Sequence, residues 1–139
     1  MRTIGILTPA ALLVLLLPLL FFTRETVAQS ASEKWIAPAA EAAKKNPVQT
    51  NPGSIGAGKK VYVQRCLSCH GTAGNGDGPD AVDLGIHPAR LSEVTTSESD
   101  GALFWKITTG KKPMPRFGGR LSETDRWNVI NYVRTLAKK

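Results

Sequence analysis

A chain of 139 residues with 9 Pro, 13 Gly and only 6% aromatic residues has room for one small domain with a lean core, which excludes a multidomain enzyme. Two Cys and two His cannot make a four-ligand zinc finger unless every one of them is used. The formal net charge of +7 points to acidic partners, and nucleic acid drops out because the chain opens with an export signal.

That opening reads Met1-Arg2, then an apolar run from Ile4 to Phe22, then Thr23-Arg24-Glu25-Thr26 and the small residues Val27-Ala28. One positive residue ahead of a leucine-rich stretch is the pattern of a secretory signal, with cleavage expected after Ala28. The run of 19 residues is also close to the length that crosses a bilayer, so residues 4–22 could stay as a membrane anchor. Both outcomes put residues 1–28 to work in targeting and place the remainder outside the cytoplasm.

Residues 29–53 shift to Ala, Lys and small polar residues, with Pro38, Pro47 and Pro52 each opposing a helix across them. The segment reads as a linker or extended arm. Trp35-Ile36 and Val48 are too apolar for a bare spacer, so they are expected to dock on the domain. The domain itself is drawn at residues 54–139.

Within it the apolar spacing predicts an all-α fold of three main helices and long loops. Ile55, Gly58, Tyr62, Arg65 and Cys66 fall at helical intervals, giving a helix over 55–66 capped by Ser54 or Asn51. A second is predicted from Asp100 to Thr109, capped by Ser99 or Asp100, burying Leu103, Phe104 and Ile107, and stopped by Gly110. A third follows the cap and acidic first turn of Ser122-Glu123-Thr124-Asp125, with Trp127, Ile130, Val133 and Leu136 as its stripe and Arg134, Lys138 and Lys139 near its end. Between the first and second helices, Gly71 to Ser97 holds five Gly and two Pro and is expected to be a long loop. A loop of that length in so small a domain needs something to organise it.

Cys66-Leu67-Ser68-Cys69-His70 answers that need. Two thiols three residues apart can each add across a haem vinyl group, and an imidazole directly after the second can ligate the iron. A thioredoxin-like redox pair would need a preceding strand and a βαβ setting, and a zinc site would need ligands beyond His87. The glycines at 71 to 78 are not a phosphate cradle, since no strand precedes them. For the sixth iron position the candidates are Met114, held between Pro113 and Pro115 on a loop, and His87, which stands before Pro88 only 17 residues beyond His70. The loop Met is favoured, because flanking prolines restrict the backbone that presents its sulfur.

Beyond the pentapeptide, the domain resembles the class I c-type cytochromes. Gly58, Tyr62 and Tyr132 are similar to the small and aromatic residues at which that family's first and last helices cross. Gly71 to Pro79 resembles the CHG-x-x-G-x-GDGP variant found in small bacterial periplasmic cytochromes. Asp100-Gly101, Trp105-Lys106-Ile107, Met114-Pro115, Arg126-Trp127 and Asn131-Tyr132-Val133-Arg134 follow in that variant's order. The arm with Trp35 to Ala39 and Asn46-Pro47-Val48 resembles a segment that accompanies the variant, in keeping with docking. The resemblance implies one covalent haem c on Cys66 and Cys69, with iron held by His70 and Met114. It also implies a proline carbonyl that orients His70, for which Pro79 and Pro88 both qualify, with Pro88-Ala89-Arg90-Leu91 the nearer match.

The implied function is one-electron transfer without bond chemistry, because an iron held on both sides has no open position. From residue 54 onward 13 Lys and Arg stand against 8 Asp and Glu, and Lys111, Lys112, Arg116 and Arg120 surround the Met114 loop. A basic rim there would steer an acidic redox partner. The alternatives are a haem enzyme or gas sensor with an open or labile sixth position, and a fixed cytochrome subunit of a membrane oxidoreductase complex.

Overall fold

The structure, a computed structural model, describes residues 34–137. The expected signal or anchor at 1–28, the first residues of the arm, Lys138 and Lys139 lie outside the described residues. Among the described residues no helix is long and apolar enough to cross a membrane.

The described residues form seven helices in the order α1 (Ala39–Ala42), α2 (Pro52–Arg65), α3 (Leu67–His70), α4 (Pro79–Asp83), α5 (Leu91–Ser97), α6 (Asp100–Thr109) and α7 (Glu123–Arg134). The described residues form no strand, and only Lys111 and Met114 make an isolated bridge. The three long helices are those the apolar spacing predicts, and the start of each follows from its cap. Asn51 accepts the Ser54 N–H at 2.9 Å while the Ser54 hydroxyl accepts the Asn51 N–H at 3.1 Å. This reciprocal box, with Pro52 contributing no N–H where none is needed, begins α2 three residues ahead of the predicted start at Ile55. Ser99 and Ser122 cap α6 and α7 through the amides of Ala102 and Asp125.

The four short helices are absent from the sequence reading. Gly71 to Ser97, expected as one long loop, contains α4 and α5. Pro79, one of the two prolines of the expected loop, sits in the first turn of α4, where its fixed φ favours the helix and its missing N–H costs nothing. Elements of four to seven residues are too short to display a helical stripe, so periodicity could not reveal them.

The core forms where α2 crosses α7. Tyr62, Val61, Val129 and Val133 are buried together, with Tyr132 and Leu136 packed against them. The rings of Tyr62 and Tyr132 meet with centroids 5.2 Å apart and planes tilted by 55°. Gly58 lies at the closest approach, since a Cβ there would stand 2.0 Å from the Asn128 carbonyl oxygen and 2.9 Å from the Tyr132 Cβ. A second cluster joins α6 to α7 through Leu103, Phe104, Trp127 and Ile130. Phe104 stacks on Trp127 at 3.9 Å, and the Arg126 guanidinium covers the Phe104 ring at 4.5 Å. Arg134 ties α7 to the start of α6 by donating to Asp100 Oδ1 at 2.6 and 2.9 Å and to the Glu98 carbonyl at 2.8 Å.

The arm is docked. Its polar anchor is the buried Asn131 of α7, which accepts from Asn46 Nδ2 at 2.8 Å and Thr50 Oγ1 at 3.0 Å and donates to the Val48 carbonyl at 3.2 Å. The Ser99 hydroxyl donates to the Ala42 carbonyl at the end of α1, and Val48 packs on the α6–α7 cluster. Trp35 rests against Trp105 with ring centroids 6.1 Å apart. Ile36 departs from the expectation: it is 67% exposed, because the next residue inward is the small, buried Ala37 and the extended chain turns alternate side chains outward. One unit of the fold runs from Trp35 onward, so the arm and the helices after it belong together.

Candidate functional site

The end of α2 leads directly into the Cys-x-x-Cys-His stretch. The Cys66 N–H donates to the Tyr62 carbonyl at 2.8 Å, completing α2, and the Cys66 carbonyl then accepts the amides of Cys69 at 3.2 Å and His70 at 2.9 Å. The pentapeptide is therefore wound as one tight turn, which brings Cys66, Cys69 and His70 to the same cavity of about 400 Å³. Tyr62 links this turn to the core, since its buried hydroxyl donates to the Gly71 carbonyl at 2.6 Å.

The glycine-rich segment that follows folds back under the turn. Gly76 donates its N–H to the His70 carbonyl at 2.9 Å and Gly78 to the Cys69 carbonyl at 3.2 Å. Gly76 has φ of 78°, and a Cβ on it would lie 2.5 Å from the Pro88 carbonyl oxygen. Only glycine admits that approach. It draws the 86–89 segment alongside His70, where Ile86, His87, Pro88 and Ala89 all line the cavity.

The imidazole partner corrects the expectation of a proline. His70 Nδ1 lies 3.3 Å from the carbonyl of Ala89, not from that of Pro79 or Pro88. Pro79 is occupied as the first residue of α4, and the Pro88 carbonyl is turned toward Gly76. The next carbonyl along the extended chain consequently faces the ring. A bond to it requires the proton on Nδ1, which leaves the lone pair of Nε2 for a metal.

Burial sets the charge of these groups. It pushes the Cys66 thiol up to about 12, reinforced by the neighbouring Cys69 thiol, so Cys66 is protonated at neutral pH. A reactive redox pair needs the opposite shift toward the thiolate. Burial also lowers the pKa of His70, against a smaller opposing effect of the Ala89 carbonyl, and so favours the neutral ring that can ligate. Among the described residues no group of three or more His, Cys, Asp or Glu is placed so that it could hold a metal ion.

At the same cavity, Met114 arrives on the loop after α6. Gly110 ends that helix, the Met114 N–H donates to the Lys111 carbonyl at 2.9 Å, and the chain is then pinned back onto α6. Phe117 N–H donates to the Ile107 carbonyl at 3.1 Å and Gly118 N–H to the Thr108 carbonyl at 3.0 Å, with the Phe117 ring buried. The loop is thus closed at both ends around Met114, Pro113 and Pro115, all three of which line the cavity. Cys66, Cys69, His70, Met114 and His87 are all gathered at the one cavity. Trp35, Ala89 and Phe117, with the charged Arg65 and Lys111, also line it and are not among the expected site residues; for Trp35 the available sign is a large ring in an otherwise small-residue arm.

Paired thiols, a neutral imidazole and a thioether around a space walled by Pro, Phe, Ile and Trp side chains fit a haem, whose flat body is apolar and whose iron accepts nitrogen and sulfur ligands. Comparison with known proteins agrees. Residues 53–133 match the family model described as "Cytochrome C oxidase, cbb3-type, subunit III". Cytochrome c6 of Gracilaria tenuistipitata var. liui is 36% identical over 89 residues, 63% of this chain and 79% of that protein. Cytochrome c6 of Petalonia fascia is 34% identical over 85 residues, 61% of this chain and 95% of that protein. Among solved structures, one from the reducing HAO-like protein complex of Kuenenia stuttgartiensis superposes with a TM-score of 0.55 at 34% identity. The match covers 66% of this chain but 47% of that one, so the present chain spans about half of the longer polypeptide. The KustC0563 c-type cytochrome gives a TM-score of 0.52 at 26% identity, covering 58% of this chain and 98% of its own. A covalently bound haem c and one-electron transfer come with this kinship. The chain belongs to the class I c-type cytochromes, in the family described as cytochrome c oxidase, cbb3-type, subunit III.

Proposed function

We propose that the protein is an extracytoplasmic electron carrier whose haem is held through Cys66 and Cys69 and whose iron is ligated by His70 and Met114. The observation that carries this reading is the convergence of the pentapeptide turn and the pinned Met114 loop on one apolar cavity. When bound, haem supplies an iron that cycles between ferrous and ferric states. The chain's own part is to fix the axial groups, exclude water and present an edge to partners.

Each ligand has a mechanical support. The Ala89 carbonyl holds the His70 ring in one orientation and makes Nε2 more basic. The bonds from Phe117 and Gly118 to α6 limit the travel of Met114, so its sulfur would be held ready as a ligand. His87 borders the same space, but its segment is the one whose Ala89 carbonyl already faces His70, which favours Met114 for the other side. With His70 and Met114 both holding the iron, no position on it would be left for a substrate, which supports a carrier over an enzyme or gas sensor.

In this reading residues 1–28 export the chain or anchor it, 29–53 form the arm and 54–139 the haem domain. The exposed Lys112, Arg116 and Arg120 beside the Met114 loop favour a redox partner with an acidic docking face, and electron-transfer rates should fall with added salt. An absorption spectrum with a pyridine haemochrome assay tests the cofactor, and mass measurement of the mature protein tests cleavage at Ala28. Met114→Ala is expected to abolish the sulfur-to-iron charge-transfer band and lower the midpoint potential. Retention of that band would refute Met114 as ligand.

A further inference from the structure

The haem cavity is not closed by the haem domain alone, since one of its walls is Trp35, carried by the arm some thirty residues ahead of Cys66. Its placement is built rather than incidental. Trp105 of α6 supports the indole at 6.1 Å between centroids, and the Lys106 ammonium stands 5.5 Å from the Trp35 ring centroid. Lys106 is mostly buried and is paired with Glu98, so the cation beneath the indole is fixed in position. The backbone behind Trp35 is equally constrained. Ala37 is buried, and the last carbonyls of α1 press so closely on Gly101 that a Cβ there would lie 2.2 Å from the Glu41 carbonyl oxygen. Farther along, Asn46 and Thr50 hold the arm to Asn131. A spacer that merely separated the domain from a membrane would need none of these contacts.

We propose that the arm is an integral cover of the haem cavity and that Trp35 is a potential-setting residue, excluding water from the side of the cavity it walls. Water stabilises the charged ferric state more than the ferrous one, so a site opened to solvent holds its electron less tightly. Trp35 therefore raises the midpoint potential by displacing water, and Trp105 and Lys106 act through it as positioning residues. This inference rests on the haem occupying the cavity as proposed above.

The test compares holoproteins carrying Trp35→Ala, Trp35→Phe and Ile36→Ala, the last altering an exposed neighbour that does not line the cavity. Each is first checked for covalent haem and for the sulfur-to-iron band, so that failure of the cofactor or ligand assignment is seen separately. Equilibrium midpoint potential is the readout. Trp35→Ala should lower the reduced-to-oxidised ratio at a fixed ambient potential about tenfold, which is ~59 mV for one electron. Trp35→Phe should restore most of the difference, and Ile36→Ala should match the parent. A parental potential in Trp35→Ala with haem and band intact overturns the proposal, as does an equal fall in Ile36→Ala. If Trp35→Ala does not accumulate as holoprotein, Trp35→Leu takes its place with the same two outcomes.

Discussion

The α2–α7 crossing and the segment from Gly71 to Ala89 are built on different principles. At the crossing Tyr62 and Val129 are fully buried, side chains fill the interface, and the backbones approach closely at Gly58. In the segment Val82 and Leu84 are 71% and 69% exposed, Ala81 is the one buried apolar side chain, and the shape comes from backbone bonds to His70 and Cys69. The first region is stabilised by side-chain burial. The second, with little apolar surface to bury within the polypeptide, depends on the group seated against it. A small domain can thus hold a large cofactor by keeping its packing on one side and its bonding geometry on the other.

The largest effect that would break this contrast comes from removing the tether. Cys66→Ala with Cys69→Ala should leave haem extractable and the domain largely unfolded, because the glycine-rich segment then has little to pack on. Acid extraction followed by a melt in far-ultraviolet circular dichroism checks this; a cooperative transition in haem-free protein would show that the crossing is self-sufficient.

Next comes Gly58→Ala, which forces a methyl group into backbone and is expected to cost about 3 kcal/mol of stability in denaturant titration. A cost below about 1 kcal/mol would mean the helices can slide apart without loss. Tyr62→Phe is smaller and probes the join between the two regions, since it strips the hydroxyl from the Gly71 carbonyl while keeping the ring. A loss of about 1.5 kcal/mol is expected from the unsatisfied buried acceptor, with faster amide exchange at Gly76 and Gly78. Equal protection at those two amides would separate the Tyr62 bond from the order of the turn. The smallest effect belongs to Val82→Ser with Leu84→Ser, which should change stability by no more than about 0.5 kcal/mol per site because both side chains already face solvent.

The exposed Val82 and Leu84 also show where sequence reading reaches its limit. Their apolar character carries no information about position when the element that contains Val82 and is capped by Leu84 is five residues long and buries only Ala81. By contrast α6 and α7 were legible to within a residue at their starts, because Ser99 and Ser122 announce the caps and the stripes run for ten or more residues. The candidate haem ligands were legible for another reason. Cys66, Cys69 and His70 are neighbours in the chain, so one helical turn is enough to bring them together. The docked face of the arm was half legible: Trp35 and Val48 pack as their character suggests, whereas Ile36 does not, and alternation in an extended segment reverses with a shift of one residue.

What the amino-acid order determined by itself is the local chemistry: three long helices from their caps and stripes, a thiol pair followed by imidazole, and a methionine between prolines. These depend on spacings of a few residues, over which backbone geometry leaves few options. Only the tertiary structure decided that Ala89 rather than a proline faces His70, and that Trp35 walls the cavity. Both are contacts across many residues, set by a steric coincidence at Gly76 in one case and by docking on Trp105 in the other. No local pattern encodes such meetings, because each depends on where the rest of the chain has already packed.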